Sequence, residues 1–156
     1  MIFLDYLPLI LFFSLSLQAN CIKEIMTIEE AIKQRHSVRK YIHKPLSKEI
    51  VEILEEKISE CNEKGRLHIQ LVTQETKAFT GIMSYGKFHG VENYLVMAGK
   101  KADDLDERIG YYGELLVLLA QTLGLNTCWV GLSYRKVKEA YHIEEGEKLA
   151  CMIRQS

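Results

Sequence analysis

Apolar side chains recur along this chain with a spacing that changes from segment to segment, and each spacing predicts an element. Ile50, Leu54, Ile58 and Cys61 fall at three- and four-residue steps, which places them on one face of a helix. Ser47 stands at the N-cap position of that helix, and Gly65 is placed to end it. Ahead of it, Thr27-Ile28-Glu29-Glu30 has the form of a capping box and predicts a short helix over 28–36. Leu67, Ile69 and Leu71 alternate as in a strand. Residues 74–90, with three glycines and mixed polarity, predict a long loop or lid. Tyr94 to Ala98 is apolar without interruption, the pattern of a buried strand.

The strongest helical signal runs from Asp103 to Leu123, acidic at its start and closed by Gly124. Leu115 to Ala120 is apolar on every side, so this half should be buried all round, either centrally or beneath a second subunit. A strand over Thr127–Leu132, a helix over Tyr134–Tyr141 and a strand over Leu149–Ile153 complete the pattern. Helices laid on a central sheet give an α+β or α/β domain.

Residues 1–25 stand apart as an atypical apolar extension. Leu7 to Leu17 is mostly apolar but broken by Pro8, and it is shorter than a membrane span of about 20 residues. No Lys or Arg precedes it, as a secretory signal would require. Two readings stay open: Met26 is the natural start and 1–25 an upstream misread, or 1–25 is a weak signal or anchor. The first implies a cytoplasmic protein with no membrane attachment, the second a membrane-associated or exported one.

The 156 residues suit one domain with a real core, and 47% hydrophobic with 26% charged residues is an ordinary globular balance. The net charge of -1 gives no global attraction to nucleic acid or an anionic membrane. Cys21, Cys61, Cys128 and Cys151 form no Cys-x-x-Cys pair, and the scatter reads as four free thiols. No metal site is expected. Asp103, Asp104, Asp106 and Glu107 are an acidic first turn favoured by the helix dipole, and His43, His68, His89 and His142 are dispersed.

Two segments could carry chemistry. In Lys33-Gln34-Arg35-His36-Ser37-Val38-Arg39-Lys40-Tyr41, alternate residues of an extended chain face one side, so Arg35, Ser37 and Arg39 can converge on one ligand. Arg offers planar paired donors to a phosphate and Ser adds a hydroxyl. Spacing alone favours the plainer account, a solvated basic helix end. The second segment is Gly124-Leu125-Asn126-Thr127-Cys128-Trp129-Val130-Gly131-Leu132. Gly131 beside the only Trp would let a flat ligand approach the backbone, or else Trp129 simply fills the core.

"RHSVRKY" after "TIEEAIKQ", followed by "IGYYGELLVLLAQTLGLNTCWVGL" and "EGEKLACMI", resembles the nitroreductase superfamily, and its short branch in particular, from Met26 to about Ile153. The resemblance implies an α+β fold with a mostly antiparallel sheet, flanked by helices around a buried central helix. It also implies a homodimer holding FMN between its subunits. On that mapping Arg35 and Ser37 serve the ribityl phosphate within the segment that includes His36, and Arg39 lies near the N1/C2 edge of the flavin. The strand Cys128-Trp129-Val130-Gly131 lies along the isoalloxazine ring, and helix 103–123 is the dimer core. The activity implied is electron transfer from NAD(P)H to a nitroaromatic or quinone-like acceptor. No side-chain catalyst is needed, because the chemistry belongs to the cofactor.

The family continues past the position of Ile153, whereas this sequence passes to Arg154-Gln155-Ser156. Domain 26–153 therefore reads as incomplete at its C-terminus, leaving a sheet edge and apolar surface uncovered. A truncated, non-catalytic flavin-binding remnant is the alternative reading. A nucleic-acid binder built on Lys33, Arg35, Arg39, Lys40 and Lys44 is disfavoured by the balanced charge and the lack of a known binding motif.

Overall fold

A computed structural model describes residues 26–41, 44–79 and 91–156. The extension 1–25, most of the expected lid and Cys21, His43 and His89 lie outside the described residues. Thr27 opens helix α1 (Ile28–Gln34) through the expected capping box. Its hydroxyl accepts from the Glu30 N–H at 3.2 Å, and its own N–H donates to the Glu30 carboxylate at 2.8 Å. Ser47 accepts from the Ile50 N–H at 3.3 Å and opens α2 (Lys48–Gly65), whose buried face is Leu54, Ile58 and Cys61.

Helix α2 ends at Gly65 as expected, but not by the expected means. Gly65 is still helical, and the left-handed residue is Arg66 at φ 49°. Gly65 is there for space: a Cβ on it would lie 2.6 Å from the Tyr112 ring. Helix α3 (Leu105–Thr122) is closed by Gly124 at φ 77°.

Strands β1 (Gln70–Val72), β2 (Asn93–Lys100), β3 (Thr127–Val130) and β4 (Glu147–Gln155) form an antiparallel sheet in the order β1-β2-β4-β3. The last strand is longer than the sequence suggested. Arg154 and Gln155 belong to it, paired with Cys128 and Thr127, so the sheet does not end open at β4, which runs inside it. One face of the sheet, through Leu95, Met97, Trp129 and Ile153, packs against α2 and α3. The other face carries Tyr94, Val96, Val130 and Met152. This is an α+β fold.

The predicted helix over 134–141 is absent. The Arg135 N–H donates to the Ala78 carbonyl at 2.7 Å and the Tyr134 N–H to Leu132 at 3.0 Å, so these groups never enter a helical ladder. Val137, Tyr134 and Tyr141 are drawn instead onto the second face of the sheet. Burial there outweighs local propensity.

Along α3, Leu116, Val117, Leu118 and Ala120 are buried, but Leu115 and Leu119 are only half-buried within one chain. Cys61, Cys128 and Cys151 are free. Among the described residues no helix is long and apolar enough to cross a membrane, and no group of three or more His, Cys, Asp or Glu could hold a metal.

Candidate functional site

Helix α1 stops because Arg35 turns extended, at φ -63° and ψ 138°. The next residues are laid beside β3: Ser37 bridges Thr127 in parallel, and the Val38 N–H donates to the Thr127 carbonyl at 3.1 Å. Tyr41 fastens the far end, its hydroxyl donating to the Val38 carbonyl at 2.6 Å. Burial holds that phenol well above its ordinary value, against the opposing pull of Arg154, so it stays a donor. The strict alternation expected of an extended segment is not seen, since the neighbours His36 and Ser37 are both exposed, as are Arg39 and Lys40. Val38 turns toward the core, while His36, Ser37 and Arg39 are exposed.

Arg35 does not join Ser37 and Arg39 in solvent. Its side chain is 25% exposed and its Nε stands 3.8 Å from the Glu114 carboxylate on α3. His36 Nδ1 lies 3.2 Å from the Gln34 carbonyl.

The second expected segment divides between the two faces of the sheet, as a period of two requires. Trp129 faces α3, where its indole N–H donates to Glu114 at 3.2 Å. Gly113 makes room for the ring, since a Cβ there would lie 2.3 Å from it. Cys128 and Val130 are buried on the opposite face. Gly131, just past β3, is exposed and has open space where a Cβ would stand. A flat ligand can therefore approach the backbone at Gly131, whereas the side chains of 128–130 do not form one common wall.

Beneath the segment lies fully buried Arg154, its guanidinium 5.3 Å from the ring centroids of both Tyr41 and Phe79 in cation–π contact. Beside Tyr41 opens a cleft of about 670 Å³, with Lys40, Lys44 and Ser47 on its polar side and Leu46, Ile50 and Leu125 on its apolar side. The combination of cations, a helix start and an apolar wall can take a phosphorylated organic molecule.

Sequence reasoning missed Glu114, Gly113, Thr127 and Arg154. Glu114 had a signal, as the only charged side chain from Gly113 to Ala120. Thr127 and Arg154 had none, because their roles come from pairing with distant segments.

A family model described as "Putative TM nitroreductase" matches residues 27–154. An FMN-dependent nitroreductase from Clostridium difficile R20291 is similar in structure, with a TM-score of 0.65 at 17% identity over 80% of this chain and 84% of that one. A nitroreductase family protein from Clostridium difficile 630 gives 0.60 at 17% identity over 83% and 82%. NfrA1 of B. megaterium gives 0.64 at 16% identity over 82% and 65%. Likeness at these identities is likeness of fold. No curated protein sequence matches the chain.

Proposed function

Because the chain belongs to the nitroreductase family that matches residues 27–154, we propose that it is an FMN-dependent oxidoreductase moving electrons from NAD(P)H to a nitroaromatic or quinone-like acceptor. The observation that carries this reading is the segment Arg35–Arg39, fixed to β3 through Thr127 and presenting Ser37 and Arg39 outward. A free helix end would have no such anchorage. The residues present fit an FMN: the anchored cations can meet its phosphate, and exposed Gly131 admits a flat ring. When bound, the flavin supplies the redox chemistry between the nicotinamide donor and the acceptor.

This chain's own residues then bind and orient. Ser37 and Arg35 hold the phosphate, with Glu114 fixing the tilt of Arg35 and tempering its charge. Arg39 lies toward the ring edge that gains negative charge on reduction, where a fixed cation favours the charged form. Trp129 supports β3 from behind rather than stacking on the ligand. A homodimer is part of the proposal. Half-buried Leu115 and Leu119, with Tyr111 65%, Ile28 50% and Ile32 58% exposed on α3 and its neighbour α1, give apolar surface for a partner to cover.

The test is purification of the full chain with FMN. Bound flavin that is bleached by NADH or NADPH and re-oxidised by a nitroaromatic supports the enzyme, and Arg39→Ala should weaken FMN binding by about tenfold, or roughly 1.4 kcal/mol. Flavin retained without turnover favours the non-catalytic module. FMN affinity unchanged in both Arg35→Ala and Arg39→Ala defeats the site assignment. Light scattering of the eluted protein reads the dimer.

A further inference from the structure

At the other end of β4, away from the segment just described, Glu147, Lys148 and Leu149 line a second cleft of about 510 Å³. Lys148 is seven strand steps, or roughly 23 Å at ordinary strand rise, from Gln155, whose partner Thr127 anchors Ser37. The two regions are therefore separate.

Lys101, Lys136, Lys138 and His142 also line this cleft, and its apolar wall is Tyr141, Ile143 and Leu149. The acids near it are already engaged. Asp106 takes Lys148 at 2.9 Å. Glu147, with its side chain only 5% exposed, accepts from the Glu144 N–H at 2.9 Å and contacts His68 Nδ1 at 2.8 Å. Lys101, Lys136 and Lys138 form no ion pair among the described residues. Glu144 and Glu145 stand on the turn before β4, and Glu139 lies in an adjoining groove that Lys136 and Lys138 also line; none of the three acids lines the cleft itself.

The walls are held in place. The Gln70 amide clamps His142 at both backbone groups, donating to its carbonyl at 2.6 Å and accepting from its N–H at 3.0 Å. Buried Val137 sits between Lys136 and Lys138. On a helix those two lysines would point to divergent sides, about 200° apart. Here the chain is not helical, and both enter one cleft.

Lys101, Lys136 and Lys138 line one cleft with no ion pair of their own among the described residues, so an anion there can meet several cations at once. Lysine ammonium groups are compact point charges with three donors each, suited to phosphate oxygens. The tyrosine and aliphatic wall suits a flat apolar body. We infer that this cleft binds a nucleotide-type organic phosphate, with its phosphates on Lys101, Lys136 and Lys138 and its base against Tyr141, Ile143 and Leu149.

Isothermal titration of the full chain with ADP, with and without saturating FMN, tests the inference. The expected result is saturable one-to-one binding that FMN does not displace and that weakens with added salt. The triple variant Lys101→Ala, Lys136→Ala, Lys138→Ala should weaken it at least tenfold. Lys136→Gln with Lys138→Gln, which keeps side-chain bulk, should lower it in the same direction, while Arg35→Ala leaves it unchanged. Inorganic pyrophosphate should bind at least tenfold more weakly than ADP. Absence of ADP binding, equal affinity in the triple variant, displacement by FMN or loss in Arg35→Ala would each overturn the site. Pyrophosphate binding as tightly as ADP would overturn the nucleotide class. Because ADP binding is read independently of flavin binding, failure here is distinguishable from failure of the oxidoreductase reading.

Discussion

Trp129 donates its indole N–H to Glu114 at 3.2 Å across the seam between β3 and α3. The other oxygen of the same carboxylate stands 3.8 Å from Arg35 Nε, so one acid links helix, strand and the basic segment. The Arg35–Glu114 pair is too long and too exposed to stabilise the fold much. The indole bond is the structural half of the link and the arginine contact the electrostatic half.

Substitution at Glu114 should separate the two. Glu114→Ala leaves a part-buried indole N–H without its acceptor and should cost about 1 kcal/mol, read as a lower urea midpoint. Glu114→Gln keeps an acceptor and should leave the midpoint nearly unchanged. It also removes the negative charge beside Arg35, so FMN should bind more tightly than to the natural chain. Weaker binding in Glu114→Gln would contradict the role given to Arg35.

The two glycines of α3 should respond oppositely to alanine. A Cβ on Gly113 meets the Trp129 ring at 2.3 Å and the Met97 methyl at 3.0 Å, and overpacking of this kind costs about 1–3 kcal/mol. A Cβ on Gly110 meets nothing within 4 Å, so helix propensity should prevail and stabilise by up to about 1 kcal/mol. Denaturant midpoints of the two variants give the comparison.

Arg66 holds a left-handed backbone at φ 49° that side chains with a Cβ adopt at a cost. Arg66→Gly should raise stability by about 0.5–1 kcal/mol, since the carbonyl that accepts from Arg108 is kept. A lower melting temperature would show that the arginine side chain matters more than the backbone.

Glu147 gives the acid limb of stability. Burial raises its pKa, but hydrogen bonds from His68 and the Glu144 N–H outweigh that, and the carboxyl ends below its ordinary value of 4.5. A depressed folded-state pKa means the unfolded chain binds the proton first as pH falls. The contribution is therefore present above pH about 4.5 and lost progressively below it. Glu147→Gln should flatten the fall of the urea midpoint between pH 5 and pH 3, checked against the natural chain in the same buffers.

What was legible in the sequence was local. Thr27 with Glu30, Ser47 with Ile50 and the unbroken run Tyr94–Ala98 fix their elements through neighbours a few residues away, and each is found where expected. Helix 134–141 failed because the backbone partner of Arg135 is Ala78, far away in sequence. Gly65 is the last residue of its helix as expected, yet the left-handed turn falls on Arg66 and Gly65 answers to Tyr112, a packing constraint that no spacing rule contains. In the candidate site Ser37 and Arg39 are exposed, but so are His36 and Lys40, which alternation would have turned to the other side. The diversion of Arg35 to Glu114 needed α1, α3 and β3 to be assembled first.

The position of β4 sets an order of events. Strands β2 and β3 do not touch each other in the sheet; they are joined only through residues 147–155, which pair with both, while the other edge of β2 takes the short β1. During synthesis, β2 can pair with the short β1 while β3 and its bridge to Ser37 wait for sequence about twenty residues downstream. Non-local closure of this kind is slow, so until β4 is available the nascent chain carries two apolar strands with open edges. A chain without residues 147–155 would therefore leave β2 and β3 unjoined, with the edges that β4 covers open to pairing with other chains.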